Sequence, residues 1–328
     1  MGGLDRTRWR HVLPWVISVA LLGYVFGWAT DWARLRQALE AAHVPLFLLC
    51  TTIDRLAFFT VWTWMQAVAL RRFVTDVPVR SVFAVRGGAE LVRTISNPAS
   101  DATFFLGLSQ LAGGRFDAVL GAALVPALCH ILVMLTMMTV ALPFVDGGPS
   151  GNRGSWITAA VMWGIVATLA IGVRLSRTRT VRIPGVAGIR GWLDRFSLRD
   201  LRAFFAAFVG LTAFDVLIQG LASRAFGIPI GWLALAARIP MLYLALSVPT
   251  LGNFGTREVA WAALFSDFSD RSHLVAYALG VNAVFLVINL AIGLIFLPRA
   301  LQLMAAVRRA RREGAEVPEH LLRDPTDL

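Results

Sequence analysis

Pro-Met-Leu-Tyr-Leu-Ala-Leu-Ser-Val-Pro-Thr-Leu-Gly-Asn-Phe-Gly-Thr-Arg-Glu, residues 240–258, decides how this chain is read. An apolar run is interrupted by Pro249, Gly252 and Gly255, and it then presents Arg257 and Glu258 at once. Lipid offers unpaired backbone groups no water, so irregular backbone at bilayer depth persists only against protein or a wet cavity. A charged pair at that depth is costly enough to point to function. The same residues also admit a plainer reading: Gly255 ends a helix that emerges at the surface, Thr256 caps the next, and Glu258 is favoured in its first turn.

Working outward, the composition supports the membrane setting. The 328 residues are 57% hydrophobic and 16% charged, and the apolar runs reach the roughly 20 residues needed to span a bilayer. The net charge of +11 is carried by arginine without any lysine, in clusters between the apolar runs. Such clusters set topology and touch anionic headgroups. No segment between spans is long enough for a basic, aromatic-studded nucleic-acid domain, so no nucleic-acid partner is expected. Cys50 and Cys129 fall inside apolar runs and read as small buried hydrophobes. No metal or other cofactor is called for.

Full spans are expected at 12–30, 45–70, 117–144, 156–174, 203–225 and 273–298. The first is read as a retained helix, because its run ends in Trp28 and Trp32 as an interfacial belt does; Gly27-Trp28-Ala29 is only a weak cleavage site. Two regions, 80–113 and 229–266, are too polar and interrupted for a single lipid-facing helix. The chain thus divides into a first span with its loop (1–44), a first repeat (45–145), a linking helix with a cytoplasmic amphipathic loop (146–202), a second repeat (203–300) and a basic tail (301–328), read as disordered.

Arginine counts orient these pieces. Arg6, Arg8 and Arg10, then Arg71, Arg72 and Arg80, the eight arginines of 174–202, and Arg308, Arg309, Arg311 and Arg312 share one face if each broken region re-enters without crossing. Both termini are then cytoplasmic, with the plasma (inner) membrane as the expected location. Region 80–113 dips in from the cytoplasm and region 229–266 from outside. Interrupted segments at matching places in two oppositely oriented halves point to a transporter site at the midplane. The expected fold is therefore an all-α polytopic membrane protein of about six full transmembrane helices plus two opposed re-entrant helical hairpins, related as an inverted repeat.

Residues Pro249 to Glu258 resemble the lysylphosphatidylglycerol synthase transmembrane, or flippase-like, family, whose members carry a proline-led Gly-Gly-x-Gly-x-Arg-Glu there. The segment from Arg86 to Asp101 is similar to the family's first-half break, and the resemblance spans most of residues 10–300. The chain departs from the pattern at Asn253, where glycine is usual, and at Ala99 and Ser100. The resemblance implies movement of an anionic or zwitterionic lipid between leaflets, or association with a lipid-modifying pathway. Members that make aminoacylated lipid add a large soluble domain; these 328 residues hold none, so transferase chemistry is not expected.

A lipid phosphate needs a cation and free backbone donors. Arg257 offers a guanidinium fork, and a helix starting near Thr256 aims its first N–H groups into the same space. Glu258 is placed to orient Arg257 or to bind a proton or cationic headgroup. Glu90 and Arg93 form the counterpart pair, although an ordinary i, i+3 interfacial ion pair explains them equally well. The candidate substrate-binding set is Arg257, Glu258, Asn253, Gly252 and Gly255 with Arg93, Glu90, Asp101, Asn97, Arg238 and Asp215. Other polar residues within spans are Asp54 and Arg55, read as an interfacial pair; His130, read as a packing histidine; and Gln219, Asn282 and Asn289, which glue helices or line a cavity. Membrane lipids are the expected partners, with a second copy or a lipid-pathway enzyme as the protein partners. The rival functions are a membrane-embedded transferase, for which no catalytic constellation is found, and a non-transporting subunit of a lipid or cell-envelope pathway.

Overall fold

The computed structural model describes residue 23 and residues 32–145, 153–178, 198–248, 250 and 253–313. The expected span 12–30 other than Gly23, most of the loop 175–202, Gly252 and the tail from 314 lie outside the described residues. Those described are helical, without a strand. The helices are α1 (Trp32–Ala41), α2 (Val44–Phe73), α3 (Val79–Arg93), α4 (Asn97–Leu111), α5 (Phe116–Ala141), α6 (Arg153–Thr178), α7 (Leu198–Ala225), α8 (Trp232–Ala245), α9 (Thr256–Leu264) and α10 (Arg271–Glu313). Among the described residues, four stretches are long and apolar enough to cross a membrane: Val44–Phe73, Phe116–Phe144, Leu201–Ala225 and Arg271–Ala310. Helix α6 covers the expected span 156–174 but is not among these four.

Both interrupted regions are pairs of short helices, α3 with α4 and α8 with α9, and the members of each pair pack on one another. In the first, α3 ends at Arg93, and extended Ser96 caps α4 by accepting a hydrogen bond from the Ala99 N–H at 3.3 Å. Pro98 sits in the first turn, where a missing N–H costs nothing. In the second, α8 ends at Ala245, ahead of Pro249. Helix α9 begins after Gly255, whose φ of 88° is the left-handed conformation that glycine adopts without strain.

Each pair has its own apolar core. Val82, Val85, Phe104 and Leu108 pack with Leu70 of α2 and Leu303 of α10 around the first. Ile228, Leu235, Trp261, Phe265 and Tyr277 pack with Phe47 around the second, where the Trp261 and Phe265 rings stack at 4.4 Å. Helices α2 and α10 contribute to both cores and hold them side by side. Against α10, the glycines of α3 permit a close crossing: a Cβ on Gly87 would lie 2.4 Å from the Phe296 ring, and one on Gly88 2.8 Å from the Ala300 methyl. Small residues at such crossings are how membrane helices approach.

The long helices turn apolar residues outward. Leu49, Ile53 and Leu56 on α2, and Val287, Leu290 and Leu294 on α10, are exposed at helical spacing, while their opposite faces carry the polar residues described next.

Candidate functional site

A cavity of about 720 Å³ lies between the two helix pairs, walled by α2, α5 and α10. Helix α2 presents Asp54, Arg55, Phe58 and Trp62 to it, and α10 presents Asn282, Phe285, Leu286 and Asn289, both at the i, i+3/i+4 spacing of a single face. The first pair contributes Arg93, Asn97 and Asp101; the second contributes Tyr243, Leu246, Asn253 and Arg257. The lining is chemically mixed: guanidinium, carboxamide and carboxylate groups stand beside Phe58, Trp62, Ile131 and Leu286.

Glu90 organises the first half of the site. Its carboxylate is fully buried and receives three arginines: Arg86 Nε at 3.2 Å, Arg93 Nε at 3.0 Å, and Arg55 from α2 in closer contact still. Arg86 and Arg93 also bind Asp101, at 2.9 and 2.6 Å, and Arg93 donates to Asn97 at 3.4 Å. Arg55 donates to Asn289 of α10 at 2.6 Å. Three guanidinium groups thus face two carboxylates, which leaves this half positive.

In the second half, both oxygens of Glu258 are committed. One accepts from the Gly255 N–H at 2.7 Å and the other from Asn282 at 2.8 Å. Glu258 therefore caps the start of α9 from inside the protein, and it makes no ion pair with Arg257. Successive helical residues point about 100° apart, which turns Arg257 toward the cavity instead. Arg257 is buried and lies 5.0 Å above the Phe285 ring, and among the described residues it has no hydrogen bond or ion pair.

The tips of the two helix pairs touch, with the Asn97 amide donating to Asn253 Oδ1 at 2.7 Å. Asn253 has a φ of 66°, the left-handed region that asparagine tolerates better than most residues.

Of the candidate residues, Arg257, Asn253, Arg93, Asp101 and Asn97 line the cavity, and Glu90, Glu258 and Gly255 hold those that do. Asp215 sits one step behind, accepting from Tyr243 at 3.0 Å and Gln219 at 2.6 Å. Arg238 is elsewhere: it makes a bidentate pair with Asp267 and donates to the Leu264 carbonyl at 2.8 Å, which ties α8 to the end of α9. Asp54 and Arg55 are not an interfacial pair. They point inward to different partners, because the apolar face of α2 takes the outside. His130 is packed among the rings of Trp62, Phe208 and Phe58. Tyr243, Trp62 and Phe285 carry no sequence signal, since an aromatic residue in an apolar run reads as core.

A helical protein with several bilayer-length apolar helices and a cavity lined by both charged and apolar side chains belongs to the multi-pass membrane proteins. Residues 15–293 match the family described as lysylphosphatidylglycerol synthase TM region, and the chain belongs to that family. The match takes in both helix pairs and the whole cavity, and it ties the protein to lipid and cell-envelope biology. No curated protein and no solved structure matches the chain.

Proposed function

We propose that this protein moves an anionic or zwitterionic phospholipid between leaflets, with α3–α4 and α8–α9 acting as opposed re-entrant hairpins. The observation that carries this reading is the unpaired guanidinium of Arg257 in a cavity lined partly by charge and partly by aromatic and aliphatic side chains. A buried cation without a partner is costly, and a phosphate oxygen relieves that cost with charge-assisted hydrogen bonds. The apolar lining residues Phe58, Trp62, Ile131 and Leu286 suit the start of an acyl chain. An amphipathic cavity fits an amphipathic molecule.

Two further features support an alternating pathway. Among the described residues the Asn97–Asn253 bond is the side-chain hydrogen bond that joins the two tips, and one such bond is inexpensive to break. Helices α2 and α10, shared by both cores, give the two halves a common frame to rock against.

The test is fluorescent phosphatidylglycerol in vesicles containing the purified protein. Wild type equilibrates the probe between leaflets faster than empty vesicles do, and Arg257→Ala, which removes the fork and keeps the fold, slows it at least tenfold. Equal rates for wild type and empty vesicles across several anionic lipids overturn the reading.

A further inference from the structure

Behind Arg257 lies a group of polar side chains that the headgroup reading does not use. Asp54 of α2 and Asp215 of α7 are both buried, and Asp54 lines a small chamber with Gln219 and Tyr243, the two residues that donate to Asp215. Two buried carboxylates that share the neighbours Tyr243 and Gln219 are costly to keep charged together, and one proton held by the pair relieves that cost. Asp215 accepts from Gln219 and Tyr243, whereas among the described residues Asp54 Oδ1 has no hydrogen-bond partner, and neither has the Oγ1 of Thr51 one turn earlier. These two unpartnered groups line a small chamber of about 10 Å³ together with Gln219, Tyr243, Arg257 and Tyr277. That is about the room one water needs. Asp54, Tyr243, Arg257 and Phe285 line both this chamber and the main cavity, so the chamber adjoins the place where a headgroup would sit.

The charges around the pair can be followed element by element. On α2, Cys50 and Arg55 flank Asp54, and Arg55 is held by Glu90 of α3. From α8 comes Tyr243, from α9 Arg257 with Glu258 beside it, and from α10 Tyr277. Helix α5 presents His130, enclosed in rings. Taken together, the guanidinium groups of Arg55, Arg86, Arg93 and Arg257 face the carboxylates of Glu90, Asp101 and Glu258 and the Asp54–Asp215 pair. This set, buried apart from the half-exposed Asp101, is neutral when the pair holds one proton. An added monoanion upsets that balance, and a second proton on the pair restores it; at low dielectric, neutrality is strongly favoured.

We propose that Asp54 and Asp215 form a proton-binding site that takes up one proton when an anionic phosphate headgroup binds Arg257, so that the two cross the membrane together. The inference rests on the cavity being a site for an anionic lipid headgroup. Each protein-bound anion then carries a proton, the translocating unit is neutral, and a pH difference drives the lipid while a membrane potential does not.

Vesicles of phosphatidylcholine with trace fluorescent phosphatidylglycerol and a one-unit pH step across the membrane test this. With wild type, the probe accumulates in the leaflet facing the alkaline side, by up to about tenfold for one proton per lipid. Asp54→Asn and Asp215→Asn abolish the accumulation. A second measurement does not depend on the variants: wild-type protein in weakly buffered detergent takes up about one proton for each short-chain phosphatidylglycerol it binds, read with a pH indicator. Binding without proton uptake, or exchange that ignores the pH step, overturns the proton site and leaves the lipid reading standing. Proton uptake with inorganic phosphate but not with the short-chain lipid retains the proton site and overturns the lipid. Absence of both exchange and binding overturns the lipid reading and, with it, this inference.

Discussion

Glu90 is the residue whose role changes most between sequence and structure. Read along the chain, it is one member of an i, i+3 pair with Arg93. In the fold it is fully buried, and three arginines converge on it, one of them arriving from α2, 35 residues away. Substituting Glu90→Gln keeps its size and leaves Arg55, Arg86 and Arg93 with Asp101 as their counter-charge. A loss of about 3–5 kcal/mol is expected, as for other broken buried pairs, visible as a large fall in the thermal unfolding midpoint in detergent. Asp76→Asn provides the contrast: its pair with Arg71 is exposed, and the change should stay below about 1 kcal/mol. Arg257 and Asn253 were legible as residues, from the motif and its glycine position. Tyr243 and Asp54 were not legible as partners of the site, because what places them there is a neighbour on another helix.

Among the helices, the two interruptions were readable because glycine and proline act on their own backbone. The length of α10 was not. Pro298 reads as a stop at the end of the expected span 273–298, yet the helix continues to Glu313. Leu303, Val307 and Ala310 are buried beyond the proline, and Leu303 joins the first core, so packing outweighs the lost backbone bond. The crossing of α3 and α10 likewise depends on residues that look neutral in sequence. Gly87→Leu places a branched side chain where Phe296 already lies, and Gly293 has the Leu91 backbone against it from the other side. An overpacking loss of about 1–3 kcal/mol is expected. Because Gly87 adjoins neither the cavity nor Arg257, loss of thermal stability should precede any loss of lipid binding as the temperature is raised.

For the whole molecule, the decisive question is the relative direction of the two helix pairs. If both are re-entrant and opposed, the two ends of each pair lie on one side of the membrane and the two pairs lie on opposite sides. Cysteines at the exposed positions Asp76 and Asp117, which flank α3–α4, should then react with a membrane-impermeant maleimide from the cytoplasmic side. One at exposed Ser266, after α9, should react from outside, while buried Cys50 and Cys129 stay silent. Labelling of all three from one face, or of Asp76 and Asp117 from different faces, would sink the inverted arrangement. The sequence by itself determined the helical membrane class, the position of both breaks and the presence of charged residues beside them, because hydropathy, proline, glycine and charge act locally. Only the tertiary structure decided what those charges are for. Glu90 and Glu258 turn out to be the anions that hold the site together, and Arg257 is left facing an amphipathic cavity. Those pairings are set by contacts between residues up to 234 positions apart, which no local pattern along the chain encodes.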